Sequence, residues 1–288
     1  MGSKDRIYPL IHTNLDVSKK YFIDGFCGSG VVGINEIENY ESVVLNDACW
    51  QLARTLDYFK YSAPDQIIKE IDDCIKEYGL SKTNKKGYDK LREFYNSSAN
   101  LEGTNFNPIL FYCLIMHSFN YNIHINSSDG FSVPFGANRS YFNSSLRQKF
   151  IVFQRCLHEN QDKVGIRSVD FCEFADILQK QGLIENSMFY CDPPYLSSDS
   201  AYGRIQYLGR WNEDKERKLY SSLDKINDLG GSFLLSNVLE NNGKTNRMLK
   251  EWSKKYKVIE IPSDFTNCNY QRKNLGKTVE VLIRNYTC

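Results

Sequence analysis

The sequence has no long apolar run and no surplus of charge of either sign. Its most apolar stretch, Pro108 to Phe119, is too short and too interrupted to span a bilayer, and no secretory leader is expected at its start. Lys and Arg number 36 against 35 Asp and Glu, and a net charge of +1 gives no overall basic character to hold an acidic polymer. Histidine is scarce: His12, His117, His124 and His158 fall at no metal-ligand spacing, so no metal is expected. Nine cysteines, an odd number without paired spacing, predict free thiols in a reducing cytosol. Internal repeats, low-complexity tracts and long linkers are absent, and 288 residues suffice for one sizeable core with an inserted subdomain.

The most telling residues present are Asp192-Pro193-Pro194-Tyr195, which end the apolar run Met188-Phe189-Tyr190-Cys191. A buried strand that stops there puts a carboxylate, a stiffened backbone and an aromatic ring at a strand's carboxyl end, where open α/β sheets bind ligands. The chemistry this tetrad suits is methylation of an exocyclic amino group on a base. Such an amine is a poor nucleophile because its lone pair is drawn into the ring. Acceptors that hold its hydrogens let the nitrogen pyramidalise, and Asp192 and the Pro193 carbonyl are suitable acceptors. Tyr195 would stack on a base taken out of the helix. Read by themselves, the same four residues also suit a strand end and turn, with Asp as an ordinary turn residue.

A second constellation lies near the start. Tyr21-Phe22-Ile23-Asp24 reads as a buried strand, Gly25-Phe26-Cys27-Gly28-Ser29-Gly30 as a glycine-rich turn, and Val31, Val32, Ile34 and Ile37 as the start of a helix. Glycines admit a ligand close to the backbone, and a helix amino terminus offers amide groups. Ser42-Val43-Val44-Leu45 makes another strand, and Asp47 beyond it can hydrogen-bond ribose hydroxyls. This suits an adenosine-containing cofactor; glycines serving only packing are the alternative. The dinucleotide fingerprint is incomplete, which makes a flavin or nicotinamide the poorer fit.

Further along, Trp211-Asn212-Glu213 opens a helix through Leu219, Leu223 and Ile226, Gly230-Gly231 ends it, and Ser232 to Ser236 is a strand. Lys244 to Lys255 is expected to be a helix and Val258 to Ile261 a strand. Such alternation predicts an α/β fold, a mostly parallel sheet with helices on both faces closed by an antiparallel hairpin. The Ser-, Gly- and Tyr-rich stretch from Leu196 to Arg210 is expected to be a loop over the site.

Together these residues resemble the Dam family of DNA adenine methyltransferases, and the resemblance runs through most of the chain. Gly2-Ser3-Lys4-Asp5-Arg6-Ile7 is similar to the family's first motif without its leading aromatic, with an expression scar as the alternative for the first three residues. Val169-Asp170-Phe171 resembles the strand end whose D-F pair touches the cofactor adenine, although an Asp there is also an ordinary helix N-cap. Arg272 to Tyr286 looks like the closing hairpin. The T-even phage Dam type is the nearest likeness, through Leu80-Ser81-Lys82-Thr83, Leu91-Arg92-Glu93, Leu235 to Glu240 and Leu249 to Tyr256.

The resemblance implies a Rossmann-like, mostly parallel seven-stranded methyltransferase sheet formed by residues 1–63 and 161–288, with residues 64–160 inserted as a helical target-recognition domain. It also implies S-adenosylmethionine as cofactor, held by Lys4, Asp24, Phe26, Gly28, Gly30, Asp47, Asp170, Phe171 and Asp192, and catalysis by Asp192, Pro193, Pro194 and Tyr195. Ile67, Ile68, Ile71 and Ile75, then Leu91, Phe94 and Tyr95, recur at helical spacing in the insertion. Tyr121 to Asn126 alternates, Ser127 to Gly130 turns and Phe131 to Phe135 returns, which predicts a hairpin. In the resemblance this hairpin reads duplex DNA, through Asn120, Asn122, His124, Asn126 and Pro134, with Arg139 beyond it on a phosphate or a guanine. Where enzymes of this family that act on GATC carry an arginine for a guanine, this chain has His124, which cannot make that bidentate contact, so GATC is in doubt. Arg272 and Lys273 belong to a C-terminal concentration of basic residues that suits phosphates, and solvated helix faces account for it equally.

The expectation is therefore a site-specific adenine methyltransferase in the cytoplasm of a bacterial or phage-infected cell, with duplex DNA as partner, a restriction endonuclease as a companion in the same system, and neither membrane nor metal. Two alternatives stay open. One is amino methylation of cytosine or of an RNA base; the other is a degenerate methyltransferase fold that only binds DNA as a regulator.

Overall fold

The structure is a computed structural model that describes residues 4–98, 105–196, 211–262 and 278–287. In chain order its elements are α1 (Tyr8–His12), β1 (Tyr21–Asp24), α2 (Val31–Asn35), β2 (Ser42–Asn46), α3 (Trp50–Tyr61), α4 (Pro64–Tyr78), α5 (Lys85–Ser98), α6 (Pro108–His117), α7 (Ser144–Glu159), β3 (Val164–Arg167), α8 (Phe171–Lys180), β4 (Ser187–Cys191), α9 (Glu213–Asp228), β5 (Ser232–Asn241), β6 (Lys244–Thr245), α10 (Arg247–Trp252), β7 (Lys257–Glu260) and β8 (Val279–Arg284). The described residues divide into two compact units, one within Cys49–Ile166, the other made of residues 4–48, 167–196, 211–262 and 278–287.

The second unit is built on the sheet, in which the strands lying wholly within it run in the order β2-β1-β4-β5-β8-β7. The pairs β1 with β2, β1 with β4 and β4 with β5 are parallel, and β8 runs antiparallel to both β5 and β7. The predicted α/β, mostly parallel sheet is therefore present, with one strand more than the predicted seven. The extra strand comes from Lys244–Thr245, expected to be helical. Asn242 and Gly243 take left-handed φ values of 52° and 76°, so the chain folds back and β6 pairs with the end of β5. The helix that follows spans only Arg247–Trp252, with the Asn246 side chain accepting from the Leu249 amide at 3.0 Å.

β4 is buried at all five positions because it lies between β1 and β5. Phe189 and Cys191 enter the core with Leu219, Leu223 and Ile226 of α9 and Phe174 and Leu178 of α8. The amino end of α9 is capped by Asn212, whose carboxamide oxygen accepts from the Lys215 amide at 3.0 Å. Gly230, at φ 76°, follows its carboxyl end.

The first unit is helical. It begins at Cys49, so α3 belongs with the helices that follow. Phe59 of α3 meets Tyr112 of α6 and Phe150 of α7 edge to face, with ring centroids 5.3 and 5.1 Å apart. On α4 the buried stripe is Ile67, Ile71, Cys74 and Tyr78, which leaves Ile68 and Ile75 half-buried; on α5, Leu91 and Tyr95 are buried and Phe94 is exposed. The expected hairpin is reduced to two isolated antiparallel bridges, Ser118 with Phe135 and Ile125 with Phe131. Asn120 and Tyr121 take left-handed φ values of 54° and 56°, which interrupts any ladder at that point. Among the described residues no helix is long and apolar enough to cross a membrane.

Candidate active site

The carboxyl ends of β1, β2, β4 and β5 bring the predicted residues together in the second unit. Beyond β4, Pro193 is buried, and the Tyr195 hydroxyl donates to Asp192 Oδ1 at 2.6 Å. Lys4 Nζ lies 3.0 Å from the same carboxylate oxygen and donates to the Tyr195 hydroxyl at 2.7 Å and to Ser236 Oγ of β5 at 3.1 Å. Desolvation is the largest single influence and opposes a charge on Lys4, but Asp192, Tyr195 and Tyr190 together outweigh it, and the ammonium is held above the ordinary lysine range. Burial, reinforced by Asp192, pushes the Tyr195 phenol up, so it stays a neutral donor.

Lys4 reaches this point because α1 is fastened to the region after α2. Glu36, fully buried, accepts from the Tyr8 hydroxyl at 2.9 Å and from Asn39 at 2.9 Å and contacts His12 Nδ1 at 3.0 Å. On β8, the Glu280 carboxyl is pushed up chiefly by burial, with Lys4 pulling it back and Asp192 pushing it further. It therefore shares the field of the Lys4–Asp192 pair.

Asp24 ends β1 beside Tyr190 of β4, its register partner. Asp24 is 1% exposed; its Oδ2 accepts from the Gly33 amide at 3.2 Å, while Oδ1 is buried without a hydrogen-bond partner. Burial raises its pKa to about 8, with Asp192 and Asp47 adding repulsion against the Gly33 hydrogen bond. The Tyr190 hydroxyl is likewise buried without a partner. Two unpaired buried polar atoms side by side are costly in a protein interior, and a polar ligand that supplies a donor would satisfy them.

The glycine turn is held as a rigid loop. Gly28 and Gly30 adopt left-handed φ values of 50° and 74°, and Asp47 Oδ2 accepts from the Gly28 amide at 2.9 Å. Asp47 thus fixes the turn it was expected to accompany. The helix that follows has only five residues, and loop amides expected to face a ligand are engaged inside the protein instead. Asn46, fully buried, clamps the turn: its Nδ2 donates to the carbonyls of Gly25 and Val169 at 3.2 and 3.0 Å, and its Oδ1 accepts from the Val169 amide at 3.2 Å.

Asp170 is exposed and caps α8, accepting from the Cys172 amide at 2.9 Å. Phe171 is 3% exposed, packed into the core against Phe189 and lying over Gly25, where a Cβ would sit 2.6 Å from its ring. The ring only partly buried at this place is Phe26, stacked on Phe171 with centroids 5.3 Å apart.

In the first unit, Asn126 Oδ1 is engaged in its own turn, accepting from the amides of Ser128 and Gly130 at 2.9 and 2.8 Å. His124 Nδ1 is 2.7 Å from Ser132 Oγ, and Asn122 Oδ1 is buried without a partner. Asn120 and Pro134 are exposed, and the exposed Arg139 lies over the Phe119 ring at 5.3 Å. Arg272, Lys273, Gly2, Ser3 and residues 197–210 lie outside the described residues.

Tyr190, Ser236, Glu280 and Asn46 are residues around the site that sequence reasoning missed. Tyr190 alone carried a usable signal, standing two residues before Asp192 on the same face of a strand. Among the described residues no group of three or more His, Cys, Asp or Glu is placed to hold a metal ion. Cys27 and Cys191, beside the two motifs, are buried and in no disulfide.

The sequence compares closely with proteins of one kind. It is 34% identical over 284 residues to the type II methyltransferase M.FokI of Planomicrobium okeanokoites and 33% identical over 285 residues to modification methylase StsI of Streptococcus sanguinis; each match covers 98% of this chain and 41% of the relative. It is 28% identical over 213 residues to a DNA adenine methylase of Haemophilus influenzae, covering 72% of this chain and 66% of that one. The chain thus spans about two fifths of the length of the first two relatives. A family described as D12 class N6 adenine-specific DNA methyltransferase matches residues 1–266, and the chain belongs to that family.

Proposed function

We propose that this chain transfers a methyl group from S-adenosylmethionine to the exocyclic N6 amino group of an adenine in duplex DNA, with the base flipped out of the helix. The carrying observation is the closed set of Lys4, Asp192 and Tyr195 at the end of β4, beside Asp24 Oδ1 and the Tyr190 hydroxyl, both buried without a partner. Asp192 and the Pro193 carbonyl accept the hydrogens of the adenine amine, which frees its lone pair, and Tyr195 stacks on the base. Lys4, paired with the Asp192 carboxylate, orients it before the base arrives.

The residues present fit the cofactor. Its amino-acid end carries an ammonium, which the unpaired oxygen of buried Asp24 would accept, and Asp47 stands at the strand end where ribose hydroxyls are held. When bound, the cofactor supplies an electrophilic methyl on a positively charged sulfur.

Residues 120–139 of the first unit would read base edges and phosphates, with His124, Asn120 and Arg139 as the exposed or half-exposed candidates. Arg272 and Lys273 would add phosphate contacts. Relatives named as modification methylases suggest a restriction endonuclease as the companion of this activity. Asp192→Ala tests the reading. Methyl transfer to duplex DNA is expected to vanish while cofactor binding, measured by equilibrium dialysis, survives; substantial turnover by the variant would remove the role given to Asp192.

A further inference from the structure

We propose that Trp211 forms the accessible wall of the cofactor's purine site, a role that rests on the activity proposed above. Phe171, the aromatic expected there, is committed to the core at 3% exposed. In front of it the partly buried rings are Phe26 and Trp211, which meet edge to face with centroids 5.9 Å apart. An indole beside the glycine turn offers a flat, polarisable face of the kind on which a purine stacks.

The indole is also fixed in place. Trp211 Nε1 donates to Glu216 Oε2 at 2.6 Å, and Glu216 is fully buried on α9. The other carboxylate oxygen accepts from the Tyr220 hydroxyl and from the Nδ2 atoms of Asn237 and Asn246, the latter two at 3.3 and 3.1 Å. A buried carboxylate with this many donors is a stiff anchor, and the indole N–H satisfies the oxygen that the other three leave. Asn237 directly follows Ser236, which accepts from Lys4. One polar cluster therefore braces the aromatic wall. A tryptophan that served packing alone would need neither the carboxylate nor its position beside Phe26.

The chain contains three tryptophans, Trp50, Trp211 and Trp252. Labelling the whole chain with 5-fluorotryptophan gives one fluorine signal for each, assigned with Trp50→Phe and Trp252→Phe. Titration with S-adenosylhomocysteine, an unreactive product, is expected to move the Trp211 signal most and to leave that of Trp50 in place. Trp211→Leu is expected to bind S-adenosylhomocysteine about tenfold more weakly in calorimetry. A Trp211 signal that stays still while calorimetry shows the ligand bound overturns this assignment alone. Absence of binding by the unsubstituted chain overturns the proposed activity, and the assignment with it.

Discussion

Asp24 should make cofactor binding release a proton. Its carboxyl is buried with one oxygen unpaired and its pKa lifted to about 8, so the empty protein holds it protonated at pH 6.5. A cationic amino group seated against it stabilises the charged form, and binding at pH 6.5 should therefore release close to one proton. Calorimetry in two buffers of different ionisation enthalpy reads that number directly. Affinity should rise up to about tenfold per pH unit below pH 8 and flatten above it.

Stability should run the other way. The folded pKa is raised, so the folded state binds more protons than the unfolded chain between the usual aspartate value of 3.8 and about 8. The stabilisation is fully present below pH 4 and is lost as pH rises through 8. About four pKa units correspond to a span on the order of 5 kcal/mol. Asp24→Asn has no proton to lose: urea denaturation of the empty variant should show a smaller decline from pH 6 to pH 9, and its cofactor binding should be weak with no proton release. Proton release near zero in the unsubstituted chain, together with cofactor affinity in Asp24→Asn equal to its own, would refute the reasoning.

Three other outcomes follow from the geometry. Gly25→Ala would drive a Cβ to within 2.6 Å of the Phe171 ring, which the core holds in place. A loss of about 1–3 kcal/mol in chemical denaturation is expected, with weakened cofactor binding. Asn46→Ala removes three hydrogen bonds from the clamp on the glycine turn and leaves a buried carbonyl of Gly25 without that donor. The expected cost is about 2–4 kcal/mol by thermal or urea unfolding. His124, hydrogen-bonded through Nδ1 to Ser132, cannot read a guanine as a guanidinium does. Sequencing of methylated sites after expression in a methylation-free host should show a target other than GATC, and a GATC-only profile would mean that His124 does not set specificity.

Much of the second unit was legible because its signals are local. A run such as Ser187–Cys191 is apolar at consecutive positions because it lies between two other strands, and the tetrad after it marks its own end. The α9 stripe of Leu219, Leu223 and Ile226 was equally plain, since helical periodicity is written in the order of residues. The segment after β5 was misread as helix because charged residues such as Lys244 fit an exposed helix or a short edge strand alike. The turn at Asn242–Gly243 decided between them. The hairpin failed in a similar way. Alternation predicted two paired strands, but Asn120 and Tyr121 took left-handed conformations that alternation does not encode.

The sequence by itself determined which motifs meet. Asp192, Lys4, Asp24 and the glycine turn all sit at or beside strand ends, and parallel strands bring their carboxyl ends to one edge of the sheet. Only the tertiary structure decided what each group does there. It committed Phe171 to the core and left the ring face to Phe26 and Trp211, gave Asp47 to the Gly28 amide, and left Asp24 with an unpaired oxygen. The reason is that burial and hydrogen-bond partnership depend on neighbours contributed by distant parts of the chain, Ser236 and Glu280 for Lys4 and Glu216 for Trp211, and no short window of sequence contains them.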